Sequence, residues 1–334
     1  MIANLGLTRA WAAVLTFVLG AAAVIGPLAA LGLLEIRLSL ISESGSADSQ
    51  PAGFGIGLLT TAAVGTLVLL PSVRVFVARR LPIDAGSPLH ALALLLFVTL
   101  LGFNAAYQLS NDVLAQTAAV TPLTPLDLVV QEAPLLLAGV LGVGWLVRRS
   151  GAGAAERLGL LLPTWWQPAL AIAAAGAFYA FSNGVDFLSQ TLTPDLAHKV
   201  DTANNRLFGA LDNPTGILTL SLAAGICEEV LFRGALQPRF GILLTSLLFT
   251  SVHTQYGLSF DTLGVFVISV GLGLLRRFLN TTTAVICHVG YDVLVGIGIG
   301  LSLLPWALAA EAALLVLVGF VALRRWGPAL AARP

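Results

Sequence analysis

The sequence predicts an all-α protein, a polytopic transmembrane helical bundle of eight to ten helices. Three observations carry this. The 334-residue chain is 57% hydrophobic and only 10% charged, whereas soluble domains carry roughly 25% charged residues. Its mean hydropathy is +0.92, which is more apolar surface than a soluble core hides. Its apolar runs are long and do not alternate in polarity, unlike the ~10-residue alternating strands of a membrane barrel. Only helices and closed barrels satisfy their backbone hydrogen bonds in lipid, so helices remain.

A helix needs ~20 apolar residues to cross the hydrocarbon. In chain order the candidate spans are roughly 9–34, 53–78, 88–109, 126–147, 165–186, 214–237, 241–255, 260–279, 281–300 and 303–325. The seventh is short, and 241–300 admits another division, hence eight to ten. The organisation expected is N-terminal transmembrane helices over 1–186, a polar loop over 187–213, a second helical set over 214–300, and a C-terminal helix with a short tail over 301–334. The N-terminus shows no clear signal-peptide cleavage site and reads as a retained first helix. Trp165 and Trp166 suit an interfacial belt.

Arginines set the orientation. Arg9, Arg79 and Arg80, Arg148 and Arg149, Arg276 and Arg277, and Arg324 and Arg325 flank alternate ends of the spans. The opposite loops, 37–52 and 109–125, carry Glu43, Asp48 and Asp112, with Arg37 the one basic residue. Ten helices with both termini cytoplasmic fit this pattern. The 17 basic and 17 acidic residues cancel, so no nucleic-acid partner is indicated. Lys199 is the only lysine, and the arginine, alanine, glycine and leucine usage points to a GC-rich genome and a bacterial cytoplasmic membrane. Cys227 and Cys287 are too few for a disulfide framework and read as apolar packing.

Ionisable groups inside a membrane helix cost at least ~2.5–3.5 kcal/mol each, so they need a reason. In the first half Glu132 and Asp186 lie near the ends of their spans and read as interfacial. The second half differs. Cys227-Glu228-Glu229-Val230-Leu231-Phe232-Arg233 closes a strongly apolar segment. Residues four apart share a helix face, so Glu229 pairs with Arg233. Glu228 points about 100° away and stays free for chemistry. Phe249 and His253 share a face of the next segment, and His288 and Asp292 share one of the ninth. A lone histidine or one Glu-Arg pair is most often structural. Three such features on successive helices point to a catalytic or metal site.

Glu228-Glu229-x-x-x-Arg233, Phe249-x-x-x-His253 and His288-x-x-x-Asp292, in that order and with Phe232-Arg233-Gly234, resemble the CAAX-prenyl protease and bacteriocin-processing (CPBP/Abi) family, which includes the Ras-converting endopeptidases. The resemblance covers about 214–300, which it makes the catalytic core. It implies peptide-bond hydrolysis within the membrane, with Glu228 activating water and His253 assisting. Glu229 belongs to the same catalytic set, and Arg233 and Phe249 support it. His288 and the residue four beyond would stabilise the oxyanion. Relatives often have Asn at that last position. Here it is Asp292, which cannot donate unless protonated and is better suited to orienting His288.

The implied partners are membrane lipid and a membrane-anchored or lipid-modified peptide or protein. Glu228, His253, His288 and Asp292 form a nitrogen and oxygen set that could bind zinc, but the helical His-Glu-x-x-His signature is absent, and a metal-free glutamate mechanism is favoured. Two other readings stand beside this one. A proton-coupled transporter also carries intramembrane Glu, His and Asp, and a non-catalytic scaffold or immunity protein could share the fold.

Overall fold

The computed structural model describes residues 1–42, 52–300 and 302–331. Glu43 and Asp48, expected in an outer loop, lie outside the described residues. The helices are α1 (Ile2–Leu5), α2 (Ala10–Gly20), α3 (Gly26–Ser42), α4 (Gly53–Leu69), α5 (Pro71–Ala78), α6 (Pro88–Ser110), α7 (Val113–Ala119) and α8 (Pro125–Gly142). They continue with α9 (Gly151–Leu158), α10 (Trp166–Leu192), α11 (Pro194–Phe208), α12 (Pro214–Glu229), α13 (Gln237–Val252), α14 (Phe260–Phe278), α15 (Thr281–Ile297) and α16 (Leu304–Ala331). Among the described residues there is no strand, and the all-α membrane bundle stands.

By length and composition, six helical stretches among the described residues can cross a membrane, or seven if the bent pair α4–α5 counts as one span. That pair bends by 83° because Pro71 cannot continue a helix across Leu70, which is extended (ψ 131°). Pro214–Val252 counts as one run in that census, but it does not run straight. Gly241, at φ 74° and ψ 176°, breaks it, a backbone conformation that glycine tolerates without a Cβ penalty. A straight helix would hold Arg233 and Phe249 roughly 24 Å apart at 1.5 Å per residue, yet the Arg233 guanidinium lies 4.6 Å from the Phe249 ring centroid. The second arm therefore folds back on the first. This supports the division expected near residues 237–241.

The polar stretch 187–213, expected as a loop, is largely helical. α10 continues to Leu192, and α11 starts on Pro194, with Asp195 in its first turn and Arg206 in its last. Both charges complement the helix dipole. α11 buries Val200 and Ala203 against Val113 and Leu114 of α7. This amphipathic helix lies outside the candidate spans.

The core gathers around the C-terminal half. Phe97 of α6 stacks on Phe240 at 4.6 Å, and Phe232 meets Phe249 edge-on at 5.1 Å. On the other side Ala171 and Ala175 of α10, Leu272 of α14 and Cys287 of α15 form a second cluster. α12 packs tightly on α15, since a Cβ at Gly225 would come within 2.6 Å of Val289 Cγ2.

Candidate active site

α12 ends at Glu229 and passes into a π-helical turn, Val230–Leu236. Such wider turns often occur at functional sites. Within it Arg233 turns back to Glu229: Nε lies 3.3 Å from Oε2, and both side chains are fully buried. The angle there is not that of a hydrogen bond, so the contact is an ion pair. The guanidinium is held further by Ser269 of α14, whose Oγ accepts from Nη2 at 3.1 Å, and by the Phe249 face. A desolvated cation over an aromatic ring contributes on the order of 2 kcal/mol.

The other Glu229 oxygen faces α15. Oε1 lies 3.1 Å from His288 Nδ1. His288 Nε2 points toward Asp292 Oδ2 at 3.6 Å, an electrostatic contact too long for a hydrogen bond. Thus Glu229 ties three elements together: the α12 end, the π-turn and α15.

Glu228, one residue earlier, has no such anchor. It is 7% exposed, its Oε2 is buried without a hydrogen-bond partner, and it forms no ion pair among the described residues. The His288 and Asp292 side chains are 8% and 12% exposed. The Glu229–Arg233 pair is therefore sealed, while Glu228, His288 and Asp292 remain reachable.

His253 follows the last residue of α13 in a non-helical conformation. Its Nδ1 lies 2.8 Å from the Phe249 carbonyl oxygen. A carbonyl only accepts, so Nδ1 carries the proton and Nε2 keeps the lone pair. The ring stacks on Phe249 at 4.5 Å and parallels Tyr256 at 6.4 Å. The fold-back brings His253 to the Phe249 ring that Arg233 and His288 also approach. Asn104 and Gln108 of α6 reach Ser251 Oγ and O, each at 3.4 Å, and fasten this end of α13.

The structure brings Glu228, Glu229, Arg233, Phe249, His253, His288 and Asp292 together. It also adds Glu132. The sequence reading put this residue at a headgroup, but its Oε2 is buried without a partner, within electrostatic reach of Glu228, His288 and Asp292. The approach comes from packing, because Gly139, two turns further along α8, lies against Val230 and Leu231. The sequence motifs do not include Ser269 or Tyr256 either. Tyr256 lies within electrostatic reach of Asp292 and Glu228. Only interhelical packing reveals these three. Cys227 and Cys287 are buried free thiols, in keeping with apolar packing.

A catalytic zinc needs protein ligands at about 2.0–2.2 Å and an open position for water. Among the described residues no three His, Cys, Asp or Glu side chains are grouped to hold a metal ion. Of the four expected ligands, His288 faces Glu229 with Nδ1 and His253 faces a carbonyl with Nδ1. These contacts use only the Nδ1 atoms and leave the Nε2 edges of both rings outside any hydrogen bond among the described residues.

Residues 211–294 match the family described as Type II CAAX prenyl endopeptidase Rce1-like. Through this segment, about a quarter of the chain, the protein is similar to the CAAX-protease family. The match begins just ahead of α12 and ends within α15, so it spans all three motifs and leaves out Glu132. No curated protein and no solved structure matches the chain. The general class that follows is an integral-membrane endopeptidase of CAAX type.

Proposed function

We propose that this Rce1-like chain hydrolyses a peptide bond in a membrane-anchored or lipid-modified peptide or protein, using water activated by Glu228 and no metal ion. One observation carries the reading: of two adjacent buried carboxylates, Glu229 is paired with Arg233 and His288, while Glu228 forms no hydrogen bond or ion pair among the described residues. A general base must be free to take a proton.

In the mechanism, Glu228 removes a proton from water as its oxygen bonds to the scissile carbonyl carbon. The His253 Nε2 lone pair helps hold that water. The carbonyl oxygen becomes an oxyanion and accepts from the Nε2 edge of His288, which the 3.6 Å gap to Asp292 leaves open to an incoming acceptor. Asp292 and Glu229 orient the ring. Collapse breaks the C–N bond, and the proton on Glu228 passes to the leaving amine. Glu132, facing the same space, is placed to relay protons to and from Glu228. The arginine-rich ends of the helices face the cytoplasm of a bacterial cell, with both termini on that side.

The test is cleavage of membrane-anchored peptides by the purified chain in proteoliposomes, with products read by mass spectrometry in ¹⁸O-water. One heavy oxygen in the new carboxylate and no cleavage by Glu228→Gln are expected. Cleavage by that variant at the wild-type rate would remove Glu228 from the reaction.

A further inference from the structure

A cavity of about 400 Å³ opens beside the turn between the two arms of the broken helix. Gly241 and Ile242, which begin the second arm, form one wall, and Leu81 and Pro82 form another. Arg80, Arg276 and Arg277 complete it. Such a volume falls in the usual range for ligand sites, about 300–1,000 Å³.

Hydrogen bonding separates these arginines from their neighbours. Arg148 donates to Asn4, Arg149 to the Val143 carbonyl, Arg157 to the Gly234 carbonyl and Arg239 to the Pro82 carbonyl. The side chains of Arg80, Arg276 and Arg277 have no hydrogen bond or ion pair among the described residues, and Arg276 Nε is buried without a partner. The ion pairs among the described residues all lie at the catalytic cluster, so none of these arginines is paired with a carboxylate, and Asp84 is the acidic residue within electrostatic reach of this end through His90. Mutual repulsion is evident outside the spans: burial first, then Arg239, Arg149, Arg276 and Arg148, pull Arg157 down to about 10. The second arm adds the partial positive charge of a helix N-terminus. Gln237 on the cavity wall keeps a buried Oε1 without a partner, an acceptor for a hydroxyl.

We propose that this cavity binds the phosphate of an anionic phospholipid headgroup from the adjoining leaflet. Guanidinium forks match phosphate oxygens in pairs, the apolar wall suits the glycerol end of a lipid, and the location at the ends of α5 and α14 fits headgroup depth. This site does not depend on the catalytic reading.

The test uses the full chain purified in neutral detergent. Its thermal midpoint is followed against added phosphatidylglycerol, phosphatidylcholine or inorganic phosphate, and retained lipid is identified by mass spectrometry. Binding to the folded state raises the midpoint in proportion to affinity. Phosphatidylglycerol should stabilise the wild-type chain and remain bound. Arg80→Gln with Arg277→Gln alters two exposed side chains, so folding is not at stake. It should need about tenfold more lipid for the same shift, as expected for losing charge-assisted hydrogen bonds. Arg9→Gln with Arg37→Gln removes the same charge from exposed positions elsewhere and should behave as wild type. Equal responses of the two double variants would overturn the site. An equal shift with phosphatidylcholine, or with inorganic phosphate, would overturn an anionic lipid as its ligand.

Discussion

Replacing Glu229 by glutamine removes the charge that Arg233 and His288 share while keeping the shape of the side chain. Arg233 is 0% exposed, so no water replaces the lost partner. Breaking a buried pair by removing one member costs about 3–5 kcal/mol. The guanidinium keeps its hydrogen bond to Ser269 and the Phe249 face, and the amide can still meet His288, so the lower end, about 3 kcal/mol, is expected. Glu228→Gln makes the opposite prediction at the adjacent position. That carboxylate has no partner to orphan, so stability should change by less than about 1 kcal/mol. Equilibrium unfolding in mixed micelles, with tryptophan fluorescence as the signal, separates the two. If Glu229→Gln unfolds with the wild type, or Glu228→Gln loses as much as Glu229→Gln, the assignment of one anchored and one free carboxylate is refuted.

Further outcomes follow from the same geometry. Glu228→Gln should abolish cleavage at normal expression. Glu132→Gln should lower kcat by about 10²-fold or more, the usual scale for general acid–base assistance, with KM little changed; an unaltered kcat would confine Glu132 to packing. Gly225→Val should push α15 away and cost at least about 1–3 kcal/mol by overpacking, because its Cβ would sit 2.6 Å from Val289 Cγ2; wild-type thermal stability would contradict that contact. Activity should persist in a strong chelator, whereas about one zinc per chain by elemental analysis, with loss to chelator and rescue by zinc, would overturn the metal-free reading.

Much of the site was legible because helix periodicity is a local property. Glu229 with Arg233, Phe249 with His253, and His288 with Asp292 each lie one turn apart, and each pair does meet. Interhelical facts were not legible. Nothing in the spacing of α8 shows that Glu132 looks toward Glu228 rather than toward headgroups, and nothing in α12 shows that Glu229 also reaches His288. The sequence of α11 predicts a loop because its residues are polar on average, although its buried Ala197, Val200 and Ala203 recur at helical spacing. The fold-back had a local sign in Pro238 and Gly241, but only the second arm lying on the first brings His253 and Phe249 to Arg233 and His288.

Replacing Glu229 and Arg233 together separates stability from positioning. A buried ion pair adds little over a well-packed apolar pair, because desolvating both charges offsets their attraction. If the pair served stability alone, an apolar substitute would leave a working enzyme. Glu229, however, also holds His288 Nδ1 through Oε1, and a leucine cannot accept that proton. In Glu229→Leu with Arg233→Met, stability should return to within about 1–2 kcal/mol of wild type, well above the Glu229→Gln single variant, because no charge is left unpaired. Activity should stay lost, because His288 is then free to rotate away from the position where it meets the oxyanion. Unfolding in micelles and peptide cleavage on the same preparation provide both readouts. A stable and fully active double variant would show that the Glu229–Arg233 pair does not position His288.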